Sequence, residues 1–287
     1  MLRSILTSFS FYITLAIILA IITGGFPSHG NDIATIALIL AMTFSIANIP
    51  FNIKPEDMKE FLYAFLLNYV LLSTIIIIMG ISIGKYSGGF IVMAAAPPAV
   101  AIVPLSSILG GNKKQSLFSV LFLYIASIFI MPIMILFFFS REVSIFALLK
   151  NILLLIILPL LLSRPIHKKI GEEKIKIISN ICFFFIVFSI VGENRHFLFE
   201  EVATIAFLSF LMALRTIGIG GIIKKLSEWK GVERERGINY TLFASFKNEG
   251  LVMIIASSLF GYQAAIPAMI ALIFELILIC CMESRVI

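Results

Sequence analysis

Charge is scarce in this chain. Only 13% of its 287 residues are Asp, Glu, Lys or Arg, about half the share of an ordinary soluble domain. With 60% of residues hydrophobic and a mean hydropathy of +1.09, the apolar excess is too large for one globular core, so the solvent must be lipid. Histidine is also rare. His29, His167 and His196 sit alone in separate loops, which excludes a metal-ligand cluster. The three cysteines, Cys182, Cys280 and Cys281, lie in apolar runs and read as buried thiols rather than a disulfide framework. HExxH, GxSxG, P-loop and GxGxxG patterns are all missing. The chain therefore offers no nucleophile–base pair, no nucleotide cradle and no ATPase module, and no cofactor is implied.

What is present is a succession of long apolar runs. Ten can be read, roughly 9–26, 32–50, 60–83, 89–109, 115–139, 145–163, 177–192, 199–222, 237–260 and 264–281, each near the length of one helical span. The seventh is short and must lie nearly upright or extend into its flanks. The first is long enough to span and has no clear small-residue cleavage site. With the N-terminus in the cytoplasm, the inside segments collect most of the basic residues, and the outside loops hold only Lys85, Arg141 and Arg195. Such a bias orients membrane proteins. It supports an even number of spans, both termini cytoplasmic and a plasma-membrane location. The net charge of +6 is explained by orientation rather than by nucleic acid. The basic segment from Lys224 to Arg236, with Trp229, reads as an interfacial anchor.

The last two spans carry the sharpest deduction. Leu251 to Cys281 is almost continuously apolar. At ~1.5 Å per residue it would be ~46 Å long, against ~30 Å of hydrocarbon. It must break, and Gly261-Tyr262-Gln263 is the natural place. The piece before the break is too short to span alone, so it extends back through Ser245-Phe246-Lys247-Asn248-Glu249-Gly250 and draws polar residues to membrane depth. A short repeat accompanies this. Val103-Pro-Leu-Ser-Ser-Ile-Leu-Gly-Gly in span four resembles Ile254-Ile-Ala-Ser-Ser-Leu-Phe-Gly-Tyr in span nine, five spans later. An odd number of spans per half makes the halves inverted, as in many secondary transporters. The chain then reads as a single transmembrane domain, repeat one about 1–141 and repeat two about 142–287.

Span four contains the tandem Pro97-Pro98. Two adjacent prolines remove two donors and clash with the preceding turn; the bland reading is a kink, and the sharper one is a broken helix beside protein or a cavity. In the repeat register these prolines match Asn248 and Glu249, so spans four and nine are expected to be broken and to cross near the midplane. Lys247 lies about ten residues into its span, deeper than a lysine side chain easily snorkels, and an ionisable group there marks function. Glu249 and Glu275 are its candidate charge partners; the bland alternative is a Lys–Glu pair that only locks helices. Arg215 is expected to snorkel from the cytoplasmic end of span eight. Asn68, inside span three, reads on its own as interhelical glue.

These features resemble the bile acid:sodium symporter family, within the bile/arsenite/riboflavin-type transporter group, over nearly the whole chain. The resemblance rests on the proline break at Pro97-Pro98, the loop Gly110-Gly111-Asn112, Pro132 in span five, and Lys247-Asn248-Glu249-Gly250-Leu251, which is similar to the family's Gln-Asn-x-Gly-Leu. It implies an all-α membrane protein of ten helices in two inverted five-helix repeats. Helices 3, 4, 5, 8, 9 and 10 form a core that rocks against a panel of 1, 2, 6 and 7. Asn68 stands where the family has a sodium-binding Gln. Elsewhere the family's ligands are missing: its Ser-Asn pair is Ile102-Val103 here, its span-five hydroxyls fall near Val120 and Tyr124, and its span-nine Glu is Phe243. A hard cation wants oxygen, so the first sodium site looks absent, and at the second Lys247 replaces Gln.

The expectation is a secondary transporter of a small organic anion, independent of sodium and either proton-linked through Lys247 or a uniporter. Its site comprises Asn68, Pro97, Pro98, Ser245, Lys247, Asn248 and Glu249, with Glu275 as charge partner. An auxin-carrier-like or arsenite-type efflux protein shares the architecture. A membrane receptor or partner subunit is the reading from another class.

Overall fold

The computed structural model describes residues 9–47, 55–81, 83–140, 143–166 and 169–283. Arg3, Lys54, Arg141, Lys168, Arg285 and both chain ends, which entered the orientation argument, lie outside them. Helical residues underlie each of the ten apolar runs, and no strand occurs among the described residues. The elements are α1 (Phe9–Thr23), α2 (Gly30–Ala47), α3 (residues 55–80), α4 (Ser87–Ala95), α5 (Ile102–Leu109), α6 (Lys113–Phe139), α7 (Ile145–Ile166), α8 (Glu172–Glu193), α9 (Arg195–Glu200), α10 (Val202–Trp229), α11 (Arg234–Phe243), α12 (Glu249–Phe260) and α13 (Ile266–Glu283). By length and composition six described helices can cross a membrane: Met58–Gly80 within α3, α6, α7, α8, α10, and Tyr262–Met282, which contains most of α13. The short seventh run is resolved by extension. Its polar flank Glu172–Lys176 joins the helix, and two glutamates occupy the first turn, where the positive end of the helix dipole favours them.

Both expected interruptions are present. α4 stops at Ala95, and Ala96 is extended at φ −66°, ψ 149°, the conformation imposed on a residue before proline. The chain resumes as α5 at Ile102. α11 stops at Phe243 and α12 starts at Glu249, with the Asn248 side chain accepting from the Leu251 N–H as its N-cap. α5 and α12 both end at a glycine of positive φ, left-handed helical at Gly110 (φ 82°, ψ 28°) and extended in ψ at Gly261 (φ 86°, ψ 167°), both backbones that glycine adopts without strain. The break expected at Gly261 is therefore real, and it is followed by a tight turn, Tyr262–Ala265.

Packing divides the helices into two groups. α1, α2, α7 and α8 pack on one another. The remaining long helices surround the two interruptions. α4 lies against α6, α12 and α13, and α10 lies against α11 and α13. Gly89 makes one of these contacts possible, because a Cβ there would collide with the backbone oxygen of Ala264. Between the two groups, α2 and α8 touch α12. Side chains facing outward are large and apolar, among them Phe129, Ile133 and Phe137 on α6. In water they would form an aggregation surface; in lipid they are solvated. Cys182 is buried as expected, but Cys280 is exposed and Cys281 half-buried, because the last turns of α13 turn one face outward.

Candidate functional site

The two interruptions meet, and each satisfies the polar backbone of the other. The proline break frees the last carbonyls of α4. Pro97 O accepts the backbone N–H of Asn248 at 2.9 Å. Ala94 O and Ala96 O accept from Lys247 Nζ at 3.1 and 2.9 Å. The last carbonyl of α11 and one in the interruption after it are met from α3, where Asn68 Nδ2 donates to Phe243 O (2.9 Å) and Phe246 O (3.0 Å). A broken helix at membrane depth requires this kind of satisfaction, because lipid provides none.

Lys247 is fully buried, and its ammonium is caged by neutral oxygens. Besides Ala94 O and Ala96 O it reaches Asn68 Oδ1 and Ser73 Oγ, both at 3.0 Å, and it lies 4.5 Å from the centre of the Tyr69 ring. The C-terminal, negative end of α4 points at it, a favourable arrangement for a cation. Asn68 spends its amide hydrogens on α11 and the interruption after it, and Ser73 Oγ donates to Ala94 O at 2.6 Å. Three of the four neighbours of Nζ, namely Asn68 Oδ1, Ala94 O and Ala96 O, can only accept. The three N–H groups of an ammonium can meet all three, and Ala94 O has the Ser73 hydroxyl besides.

A π-helical stretch, Leu66–Leu72, builds the α3 side of this cage. Asn68 and Ser73 are five residues apart, so a regular α-helix would put them about 140° apart around its axis. The wider π turn, closed by the Ser73 N–H on Asn68 O, brings both onto the face toward Lys247. Such insertions recur at functional sites. A second one, Leu214–Gly218 in α10, carries Arg215.

Arg215 does not snorkel. It is fully buried, because two carboxylates await it inside and turning outward would strand them. Nη1 and Nη2 donate to Glu249 Oε1 at 2.9 and 2.7 Å, and Nη2 also donates to Glu275 Oε1 at 2.7 Å. Nε meets Thr216 Oγ1 at 3.2 Å, and Nη1 lies 3.7 Å from Met93 Sδ. Every N–H of the guanidinium is thus committed. The expected Lys247–Glu275 charge pair is accordingly not formed between side chains. Glu275 pairs with Arg215, and its Oε1 accepts only the backbone N–H of Lys247, at 3.1 Å. Glu249 stands in the first turn of α12, at the positive end of that helix.

Of the residues expected at the site, Asn68, Pro97, Lys247, Asn248, Glu249 and Glu275 are joined in one bonded network. Asn248 extends it by donating to Tyr124 OH at 2.6 Å and meeting Met42 Sδ at 3.2 Å. Pro98 contributes through the break. Ser245 is buried beside Gly220, and its hydroxyl has no partner. Ser73, Tyr69 and Arg215 join them. The sequence signal for Ser73 was its position in the same span as Asn68; for Arg215 it was a formal charge in an apolar run. Ile102, Val103 and Val120 are buried among apolar groups and bring no side-chain oxygen. A cavity of about 20 Å³, room for one water, lies beside Lys247, Glu249 and Glu275 and is closed from the other group of helices by Phe9 and Phe183. A larger one of about 390 Å³ lies away from the interruptions, at the end of α10 near Lys224, Glu228 and Arg234.

Two helix interruptions in contact, holding buried charges of both signs, are features shared by ion and solute sites inside membranes. The family model that matches this chain, over residues 7–284, is that of SBF-like CPA transporters. The chain belongs to the SBF-like CPA transporter family. A comparison with curated proteins finds no matching sequence. As a member of this family the chain is a multi-pass membrane transporter, and membership points to transport rather than catalysis.

Proposed function

We propose that this SBF-like transporter moves a small organic anion by alternating access, without sodium. Ten spans form two inverted repeats, residues 1–141 and 142–287, with both ends in the cytoplasm of a cell whose plasma membrane it occupies. The observation that carries the reading is the Lys247 ammonium, which sits in four oxygens between the two interruptions. A mobile cation coordinated there would need the same oxygens, and the tethered one already fills them. Supporting it, Gly110 and Gly261 end corresponding half-helices at the separation of the sequence repeat. The group α1, α2, α7 and α8 corresponds to the panel, against which the remaining helices move. Substrate would enter where Phe9 and Phe183 face Lys247 and Glu249. Asn68, Asn248 and Ser245 supply polar contacts, and Pro97 and Pro98 keep the half-helices apart.

The test is a thermal-shift screen of organic acids on the detergent-purified protein, run in parallel in sodium and in potassium. An acid that stabilises equally in both salts is the expected result, and its uptake into proteoliposomes should ignore a sodium gradient. Strictly sodium-driven uptake, unchanged in Lys247→Gln, would overturn the reading.

A further inference from the structure

The four buried charges form a closed set. Lys247 and Arg215 are balanced by Glu249 and Glu275, all 3% exposed or less. No N–H of Arg215 is left for a ligand, and the acceptors around Lys247 use its hydrogens. The two carboxylates are unequal partners of one nitrogen. Glu249 Oε1 and Glu275 Oε1 both lie 2.7 Å from Arg215 Nη2, while Glu249 Oε2 is buried with no partner. The ionisable groups facing the pair are Arg215 from α10 and Lys247 from the segment before α12. One step further out are Tyr124 from α6, bonded to Asn248, and Tyr69 from α3, under the ammonium. From α4, Met93 Sδ meets Arg215, and from α8, Phe183 lies beside Gly250.

An anion entering this set would add an uncompensated charge at low dielectric, which is strongly disfavoured. It can pair with Arg215 only if a carboxylate lets go. We infer that the Glu249–Glu275 pair carries the coupling proton. One proton from water binds the pair, most directly at the unpartnered Glu249 Oε2. The neutral acid releases its share of Arg215, and one monovalent anion takes its place, so anion and proton cross together with no net charge. On the other side the anion leaves, the proton returns to water and the carboxylate recloses on Arg215. Lys247 keeps its hydrogens throughout. This rests on the organic-anion reading above but assigns the proton to the glutamates rather than to Lys247.

The test uses the full chain in proteoliposomes, with two measurements. The first is an infrared titration of the protein alone, scanned between about pH 8 and about pH 5. A protonated-carboxyl band should grow in, and it should be altered or lost in Glu249→Gln and in Glu275→Gln. If no such band appears while the protein stays folded, the proposal falls and the transporter reading stands. The second is uptake of labelled gluconate, glycerate and isethionate, which are monovalent and too polar to leak, with a pH dye inside and the membrane potential clamped. One proton should accompany each anion, without current, and an inward gradient of about one pH unit should support about ten-fold accumulation. Uptake that carries current and no proton overturns the proposal alone. Failure of all three anions to enter overturns the organic-anion reading and the proposal with it. Because the titration uses unmodified protein, a variant that fails to fold does not remove the test.

Discussion

The two buried cations lie on either side of one interruption and are compensated in opposite ways. Lys247 is surrounded by an amide oxygen, a hydroxyl and two backbone carbonyls. Arg215 is bound to two carboxylates. The first arrangement is a solvation shell: it replaces water around a charge without cancelling it, and any cation of suitable size could occupy it. The second is a counter-charge, which can be exchanged only for another negative group. Side-chain chemistry suits each. An ammonium is a compact point charge that oxygens can surround, whereas a planar guanidinium offers a fork that carboxylates fit. In the proposed transport cycle the two halves of the site do different work, with cation occupancy on the α3–α4 side and anion exchange on the α10–α13 side.

The strongest way to break the comparison is Arg215→Leu. It strands two carboxylates in a buried site, and removing one partner of such a cluster costs about 3–5 kcal/mol. The variant should fail to accumulate or should melt far below the parent, and Arg215→Lys should recover part of the loss. A Leu variant as stable as the parent would mean that the glutamates do not depend on Arg215. Lys247→Ala should come next: it removes one of four balancing charges and leaves Asn68 Oδ1 and Ala96 O without the Lys247 donor, at about 1–3 kcal/mol for each unmet group. It also sharpens the comparison. If the cage is a solvation shell, methylammonium or ammonium added to the Ala variant should raise its melting temperature and leave the parent unchanged. No rescue by any monovalent cation would show that the cage serves only to tie helices together.

Much of this arrangement was legible in the chain, for physical reasons. A 60% hydrophobic sequence with a Pro-Pro in one run and Lys-Asn-Glu-Gly in another has few ways to satisfy its backbone in lipid, and both interruptions follow from that. The length of the run from Leu251 to Cys281 required the break at Gly261. What was not legible was which acid meets which base. Lys247 and Glu249 flank a tight turn closed by the Glu249 N–H on Lys247 O, and their side chains meet different partners, so adjacency suggested a pair that the fold does not form. Arg215 was read as an interfacial residue because depth along a helix is judged by counting, and counting says nothing of which face points inward. Ser73 shares a span with Asn68, but the π turn that aligns the two has no sequence signature of the kind that proline gives a break.

Asn68 joins the two halves, and its replacement ranks third. Asn68→Ala removes an acceptor from Lys247 and two donors from the end of α11 and the interruption after it, for an expected cost of about 1–3 kcal/mol in melts of the purified protein. Asn68→Leu, branched at the same carbon but larger, should lose at least as much, since the loss lies in hydrogen bonds. If Leu restores the parent's stability, packing rather than polarity is what Asn68 supplies.

The smallest effect is expected where charges meet water. Lys85, in the turn before α4, donates to Glu201 at 2.6 Å, and Tyr86 OH also bonds Glu201, at 3.1 Å. This pair is partly exposed, so solvent screens it and ion pairs of this kind add little. The Lys85 hydrogen bond holds the Glu201 carboxyl below its ordinary value, and the same bond raises Lys85. A depressed acid contributes stability above its unfolded value and loses it as pH falls through the folded value; a raised base contributes below its unfolded value and loses it as pH rises through the folded one. Glu201→Gln should therefore flatten a slight acid-side decline in melting temperature and shift the neutral-pH value far less than any buried substitution above. A loss at neutral pH comparable to that of Lys247→Ala would mean that this exposed pair closes the transporter on that face, and the contrast between buried and solvated charge would have to be redrawn.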